Sequence, residues 1–164
     1  MEDEFRISNL PSKLLQQERE RALALLTQLV SQTFVFEVGS TAVDGILGKQ
    51  DLDFLVRVPK EHFASTRLLL DENFARNPQQ LSSEIYQGYT VDSELDVAIQ
   101  LTIEGGPQDT FLDFLNLLRS NPELRDQYNQ LKKIYDGKPM DIYRDAKRAF
   151  IEDALRALDS RDSK

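Results

Sequence analysis

The run Val38-Gly39-Ser40-Thr41-Ala42-Val43, followed ten residues after Ser40 by Asp51-Leu52-Asp53-Phe54-Leu55-Val56-Arg57-Val58, decides the fold. The first piece closes a stretch of strand composition, Thr33-Phe34-Val35-Phe36-Glu37-Val38, that stops at Gly39. The second reads as a strand from Leu52 to Val58, ended by Pro59. Leu52, Phe54, Val56 and Val58 recur at every second residue and form a buried face. Asp51 and Asp53 share the opposite face, about 6.5–7 Å apart along the chain. Two carboxylates so placed repel one another and resist joint ionisation unless a cation lies between them. Donors that are oxygen only suit Mg²⁺ or Mn²⁺. Upstream, Gly39 lets a phosphate approach the backbone, the N–H groups of a short helical turn face it, and Ser40 adds a hydroxyl donor. The connection between Ser40 and Asp51 is long enough to bring the two strands back as neighbours. The phosphate cradle and the carboxylates would then share one end of a sheet.

A third carboxylate comes from further along. Leu95, Val97, Ile99, Leu101 and Ile103 alternate with Asp96, Ala98, Gln100, Thr102 and Glu104, the pattern of a half-buried strand over about 94–103. It is the second arm of a hairpin whose first arm runs near 83–90 and whose turn lies near Asp92-Ser93. Asp96 therefore points away from the core, and it is the natural third metal ligand if its strand lies beside that of Asp51 and Asp53.

Helical periodicity covers about 12–31, 60–74, 109–119, 122–136 and 139–159. The fourth helix opens on Asn121-Pro122, a capping residue followed by proline in the first helical position, and stops at Gly137. Everything after Gly105-Gly106-Pro107 is helical. The expected class is α+β: a small mixed sheet flanked by helices, with a helical C-terminal part. With no repeat or linker, residues 1–164 read as a single domain, a sheet-containing core to about 104 and a helical part from about 105.

Composition narrows the function classes. There are 28 acidic against 20 basic residues, a net charge of −8, and no cysteine, so thiolate metal sites and disulfide scaffolds are excluded. A single histidine, His62, argues against multi-histidine zinc sites and a serine triad. No apolar run approaches the roughly 18 residues of a membrane span, and the acidic start lacks the features of a signal peptide. A cytoplasmic protein is expected. The acidity also argues against nucleic acid as a partner, because affinity there comes largely from neutralising phosphates. Residues 119–148 stand apart, with eight basic and five acidic residues, a net of +3 that leaves −11 for the remainder. A basic helical section facing an acidic metal site would suit a polyanion bridging the two. Lys49 and His62 read as solvated, Glu37 as a surface or ion-paired residue, and Tyr128, Tyr135 and Tyr143 as core.

Hydrophobic-Gly-Ser, ten residues, then Asp-hydrophobic-Asp-hydrophobic resembles the signature of the polymerase-beta-type nucleotidyltransferases, and Leu95-Asp96-Val97 resembles their third-carboxylate motif. More narrowly, Gly39-Ser40-Thr41-Ala42-Val43-Asp44-Gly45-Ile46 is similar to the Gly-Ser-Thr-Ala-Val-Pro-Gly-Leu run of the GrpB-like family, with Asp44 in place of the usual proline. Asn121-Pro122-Glu123-Leu124, Leu131-Lys132 and Tyr143-Arg144-Asp145-Ala146-Lys147-Arg148-Ala149-Phe150-Ile151 look like that family's helical half. The resemblance covers about residues 33–151. It implies the nucleotidyltransferase fold, with Asp51, Asp53 and Asp96 holding Mg²⁺ or Mn²⁺, and Asp53 and Asp96 at the chemistry. Gly39, Ser40, Lys147 and Arg144 would hold the phosphates of a nucleoside triphosphate such as ATP. The implied reaction is transfer of a nucleoside monophosphate to a hydroxyl of a small molecule or protein. The alternative is an inactive nucleotide-binding or protein-interaction module of the same fold.

Overall fold

A computed structural model describes residues 3–9 and 11–163, so the Met1-Glu2 start lies outside the described residues. Helix α1 (Ser12–Leu29) leads through a 3-10 turn (Gln32–Phe34) into strand β1 (Val35–Val38). A second 3-10 turn (Ser40–Ala42) and a loop precede β2 (Leu52–Val58). Then come α2 (Lys60–Asn73), β3 (Ala75–Arg76), β4 (Tyr86–Val91), β5 (Val97–Ile103), α3 (Phe111–Ser120), α4 (Pro122–Tyr135) and α5 (Met140–Asp162). The expected strand from Thr33 is shorter than its composition suggests, because residues 32–34 coil into the 3-10 turn. The two-residue β3 has too little sequence to betray itself and exists only by pairing with β4.

The strands form one sheet in the order β1-β2-β5-β4-β3. β2 and β5 run parallel at its centre, and the other pairs are antiparallel. Ser40 does return the chain as expected: Val38 pairs with Asp53 across β1 and β2. β4 and β5 make the expected hairpin, with the ladder ending at Val91 opposite Val97. Asp96 is therefore not on the ladder, as its alternation implied, but is the last residue of the connecting loop. Its backbone carbonyl accepts from the Leu52 N–H at 2.9 Å.

One face of the sheet is a continuous apolar core. Leu52, Phe54, Val56 and Val58 of β2 pack with Val97, Ile99, Leu101 and Ile103 of β5 under Ala22 and Leu26 of α1 and Phe63 and Leu70 of α2. The other face is covered by the C-terminal helices, where Leu55 joins Val38, Leu115, Leu118 and Tyr128. The alternating strand is thus not half-buried as its polar positions suggested: Thr102 and Gln100 lie beneath the helices and are buried. α4 is capped as expected, Asn121 Oδ1 accepting from the Leu124 N–H at 3.1 Å. No helix among the described residues is long and apolar enough to cross a membrane.

The N-terminal arm straps the two halves together. Phe5 stacks on Tyr143 at 3.7 Å between ring centroids, and backbone bonds join it to Gly137 and Lys138. Ser8 bonds to the backbone of Gly48 and, through its hydroxyl, of Lys49. The loop that carries Lys49 is therefore held from both sides, since Asn129 of α4 also bonds Leu47 and Gly45.

Candidate functional site

The parallel register places Asp53 beside Ala98 and Leu55 beside Gln100 on the face beneath the C-terminal helices. Continued by one residue, it sets Asp51 beside Asp96. The 3-10 turn after β1 stands on the other flank of Asp53. Gly39 has φ +80°, and a Cβ there would lie 2.5 Å from Asp53 Oδ2. Only glycine lets the turn settle this close to the carboxylate. A cleft of about 720 Å³ opens between this sheet edge and α5. Gly39, Ser40, Asp51, Asp53, Asp96, Arg144 and Lys147 all line it, so the metal, catalytic and phosphate candidates from the sequence border one space.

The carboxylates are not equivalent. Burial, followed by repulsion from Asp51, pushes the Asp53 carboxyl up to about 6; Lys147, a hydrogen bond from Gln100 and Lys49 pull the other way. Lys49 is not a free surface residue: its ammonium lies 3.6 Å from Asp51 and 3.4 Å from Asp96. The Asp96 side chain is 82% exposed. Among the described residues no group of three or more carboxylates and histidines is placed to hold a metal ion jointly. That corrects the expectation that Asp51, Asp53 and Asp96 converge on a common point: the loop position of Asp96 leaves its side chain in water, and Lys49 stands between it and Asp51.

The donor set nevertheless fits one divalent cation. Mg²⁺ is characteristically held by one or two carboxylates together with substrate phosphates rather than by an all-protein cage. Asp51 and Asp53 supply two such oxygens, and the Asp53 carboxyl is raised first by its burial and then by repulsion from Asp51, a repulsion that a bound cation would relieve.

Lys132 and Gln100 escaped the sequence reading as site residues. Lys132 is 2% exposed on α4. Its ammonium donates to Ser40 Oγ at 2.5 Å and lies 4.6 Å from the centre of the Tyr128 ring, with no carboxylate ion pair among the described residues. Burial and then repulsion from Lys147 push it down to about 7, against the pull of Asp51 and Asp53. Bonded this way, the Ser40 oxygen accepts from beneath and keeps its own proton to donate. The available signal was spacing: Lys132 falls four residues after Tyr128 on an otherwise apolar seam. Gln100 is 5% exposed, donates from Nε2 to Asp53 Oδ1 at 3.4 Å, and leaves its Oε1 without a partner among the described residues. Nothing in the alternation marked it, because its face looked solvated. Tyr128 and Tyr143 are core as expected, their hydroxyls pushed up by burial, yet both also border the cleft. Glu37 is ion-paired to Arg19 at 2.8 Å, and His62 is exposed.

Comparison with known proteins bears on this arrangement. The family model described as GrpB protein matches residues 11–157. A UPF0157 protein of Vibrio cholerae is 32% identical over 131 residues, covering 79% of this chain and 70% of its own. The crystal structure of the conserved protein GrpB from Enterococcus faecalis superposes with a TM-score of 0.68 at 24% identity, over 93% of this chain and 98% of that one. Cid1, described with RNA terminal uridylyl transferase activity, superposes with a TM-score of 0.51 at 16% identity over 79% of this chain, but only 40% of Cid1 is matched. The last two likenesses concern the fold, and they agree with the sheet order and the helical cover described above. The chain belongs to the GrpB family and carries the fold of the polymerase-beta-type nucleotidyltransferases.

Proposed function

We propose that this GrpB-family protein is a metal-dependent nucleotidyltransferase that moves a nucleoside monophosphate from a nucleoside triphosphate, ATP among them, to a hydroxyl of a small molecule or protein. The observation that carries the reading is the opposition across one cleft. Asp51 and Asp53 lie on its sheet side, Arg144 and Lys147 on its helical side, and the Ser40 turn stands beside the carboxylates. Such a space suits a polyanion that arrives with a divalent cation.

Asp51 and Asp53 would hold Mg²⁺ or Mn²⁺, which when bound neutralises charge on the phosphates. Ser40, whose oxygen accepts from Lys132, would donate its hydroxyl proton to the terminal phosphates together with the N–H groups of its turn. Lys147 and Arg144 would close on the same phosphates from α5. The acceptor oxygen bonds to the α-phosphorus as the bond from that phosphorus to pyrophosphate breaks. Asp96, at the rim and open to water, would take the acceptor's proton.

A second reading has its own support. Lys49 pairs with both Asp51 and Asp96, and a lysine in that place can stand in for cationic charge in a nucleotide-binding or protein-interaction module that does not turn over. Two measurements on the full chain separate the readings: Mn²⁺ binding followed by electron paramagnetic resonance with and without ATP, and pyrophosphate release across hydroxyl acceptors. ATP-dependent Mn²⁺ binding with pyrophosphate release supports the transferase. Binding without release from any acceptor supports the module, and no binding of either overturns both nucleotide readings.

A further inference from the structure

The cleft changes character along its length. Near the Ser40 turn it carries Lys49, Arg144 and Lys147. Over β4 and the segments flanking that strand it is lined by Asn77, Gln79, Gln80, Tyr86, Thr90 and Asp92, with no basic side chain among the described residues. The register orders these ends. Val38, which leads into the Ser40 turn, pairs with one flank of Asp53; Ala98 lies on the other flank, and Thr90 lies beyond Ala98. Thr90 is thus two strand spacings from Asp53, about 10 Å away on the side opposite Ser40.

That order has a chemical consequence, which rests on the transferase reading. Displacement at phosphorus places the entering and leaving oxygens roughly in line. With the terminal phosphates at Ser40, the entering hydroxyl approaches from the β4 side. This side is built rather than loose. The segment carrying Gln80 lies so close on β4 that a Cβ at Gly88 would fall 1.8 Å from Gln80 Oε1, and the same oxygen accepts from the Tyr86 hydroxyl at 3.2 Å. Gln100, buried beside Gly88 in the register, holds an acceptor oxygen to which no described residue donates. Asp92 is exposed and has no ion pair among the described residues.

We infer that the β4 side of the cleft is the acceptor subsite and that it takes a small hydroxyl compound carrying a protonated amine. The hydroxyl end lies next to Gln100 and Asp53, whose unspent acceptors want a donor. The ammonium lies toward Asp92, which is unpaired among the described residues, whereas Asp96 is already paired with Lys49 at 3.4 Å. An anionic acceptor meets repulsion there, and a neutral polyol gains only the hydrogen bonds.

Three open-chain polyols that differ in charge test this: 1-amino-1-deoxysorbitol, sorbitol and gluconate. Their binding to the full chain is followed by saturation-transfer NMR in the presence of ATP and Mg²⁺. The amine should bind about fivefold more tightly than sorbitol, the worth of one partly exposed charge contact, and gluconate should bind most weakly. Asp92→Asn should bring the amine down to sorbitol's affinity, while Glu20→Gln on α1 leaves all three unchanged. Gln100→Leu should weaken the amine and sorbitol alike. Equal binding of the three, preference for gluconate, or displacement of the amine by a short RNA overturns the inference. ATP binding is read separately in the same samples. Selective amine binding without ATP binding overturns the transferase reading but upholds the subsite, and ATP binding without amine selectivity does the reverse.

Discussion

The two faces of the β2–β5 pair differ in kind although the same strands build both. Beneath α1 and α2, β2 and β5 contribute only aliphatic and aromatic side chains, all buried, with Phe54 and Ile99 fully enclosed. Beneath α3, α4 and α5 they contribute Asp53, Gln100 and Thr102 beside the small Ala98 and the buried Leu55, and Lys132 enters from the opposite side. Burial stabilises the first face and works against the second. A carboxyl pushed up to about 6 and an ammonium pushed down to about 7 both record charge taken out of water without full compensation. The first face holds the fold together, and the second keeps an arrangement that a ligand would complete.

The contrast breaks most visibly at Asp53. In the transferase reading Asp53→Asn lowers pyrophosphate release about 10³-fold, within the range expected for loss of an acid–base or charge-holding group. The same substitution stabilises the unliganded fold at pH 7.5 by about 2 kcal/mol, because the folded carboxyl is raised. The sign fixes the pH dependence. The folded protein binds this proton more tightly than the unfolded chain, so the contribution is fully present below the ordinary carboxyl value of 3.8 and lost as pH rises through about 6. Thermal melts of both proteins from pH 4 to 8 should therefore diverge upward across that interval; parallel curves would remove the buried-charge account.

Phe54→Ala on the opposite face of the same strand should do the reverse, costing about 3 kcal/mol of stability by opening a cavity in the apolar core. Nucleotide affinity measured below the lowered melting temperature should be unchanged. Gly39→Ala should cost about 2 kcal/mol, from its positive φ and the contact with Asp53 Oδ2 together. It should also weaken ATP binding, because the turn cannot keep its place.

Lys132→Met sharpens the comparison from the helical side. A lysine lowered by burial stabilises least when protonated. The variant should be about 2 kcal/mol more stable near pH 7, with the gain shrinking as pH rises toward 10. It should bind ATP less well, since Ser40 loses the donor that orients it. The smallest effect on stability belongs to Asp96→Asn. Its carboxylate is largely in water, and breaking the contact with Lys49 should change denaturant stability by less than about 0.5 kcal/mol.

Much of this was legible before any coordinates. Period-two alternation in Leu52–Val58 and Val97–Ile103 defined the central strands, and the cap and proline at Asn121-Pro122 opened α4 where a helix begins. The Gly-Ser turn, the paired aspartates and two cations of α5 were nameable as candidates, and all border the cleft. Asp96 was misjudged because alternation continues past the last paired residue: the pattern tells which way a side chain would face, not where the ladder ends. Gln100 looks solvated until the C-terminal helices cover its strand face, and Lys132 looks solvated until its own helix packs on the distant Ser40 turn.

Sequence alone determined the local elements, the spacing from Gly39-Ser40 to Asp51 and Asp53, and which strand face is oily, because backbone sterics and apolar periodicity act between near neighbours. Tertiary structure alone decided the parallel pairing of β2 with β5, the burial of the polar face beneath the C-terminal helices, the ammonium of Lys132 under Ser40, and Lys49 between two acids. Those depend on which surfaces, scores of residues apart, exclude water from each other. It is that exclusion which makes charge on this face costly without a ligand.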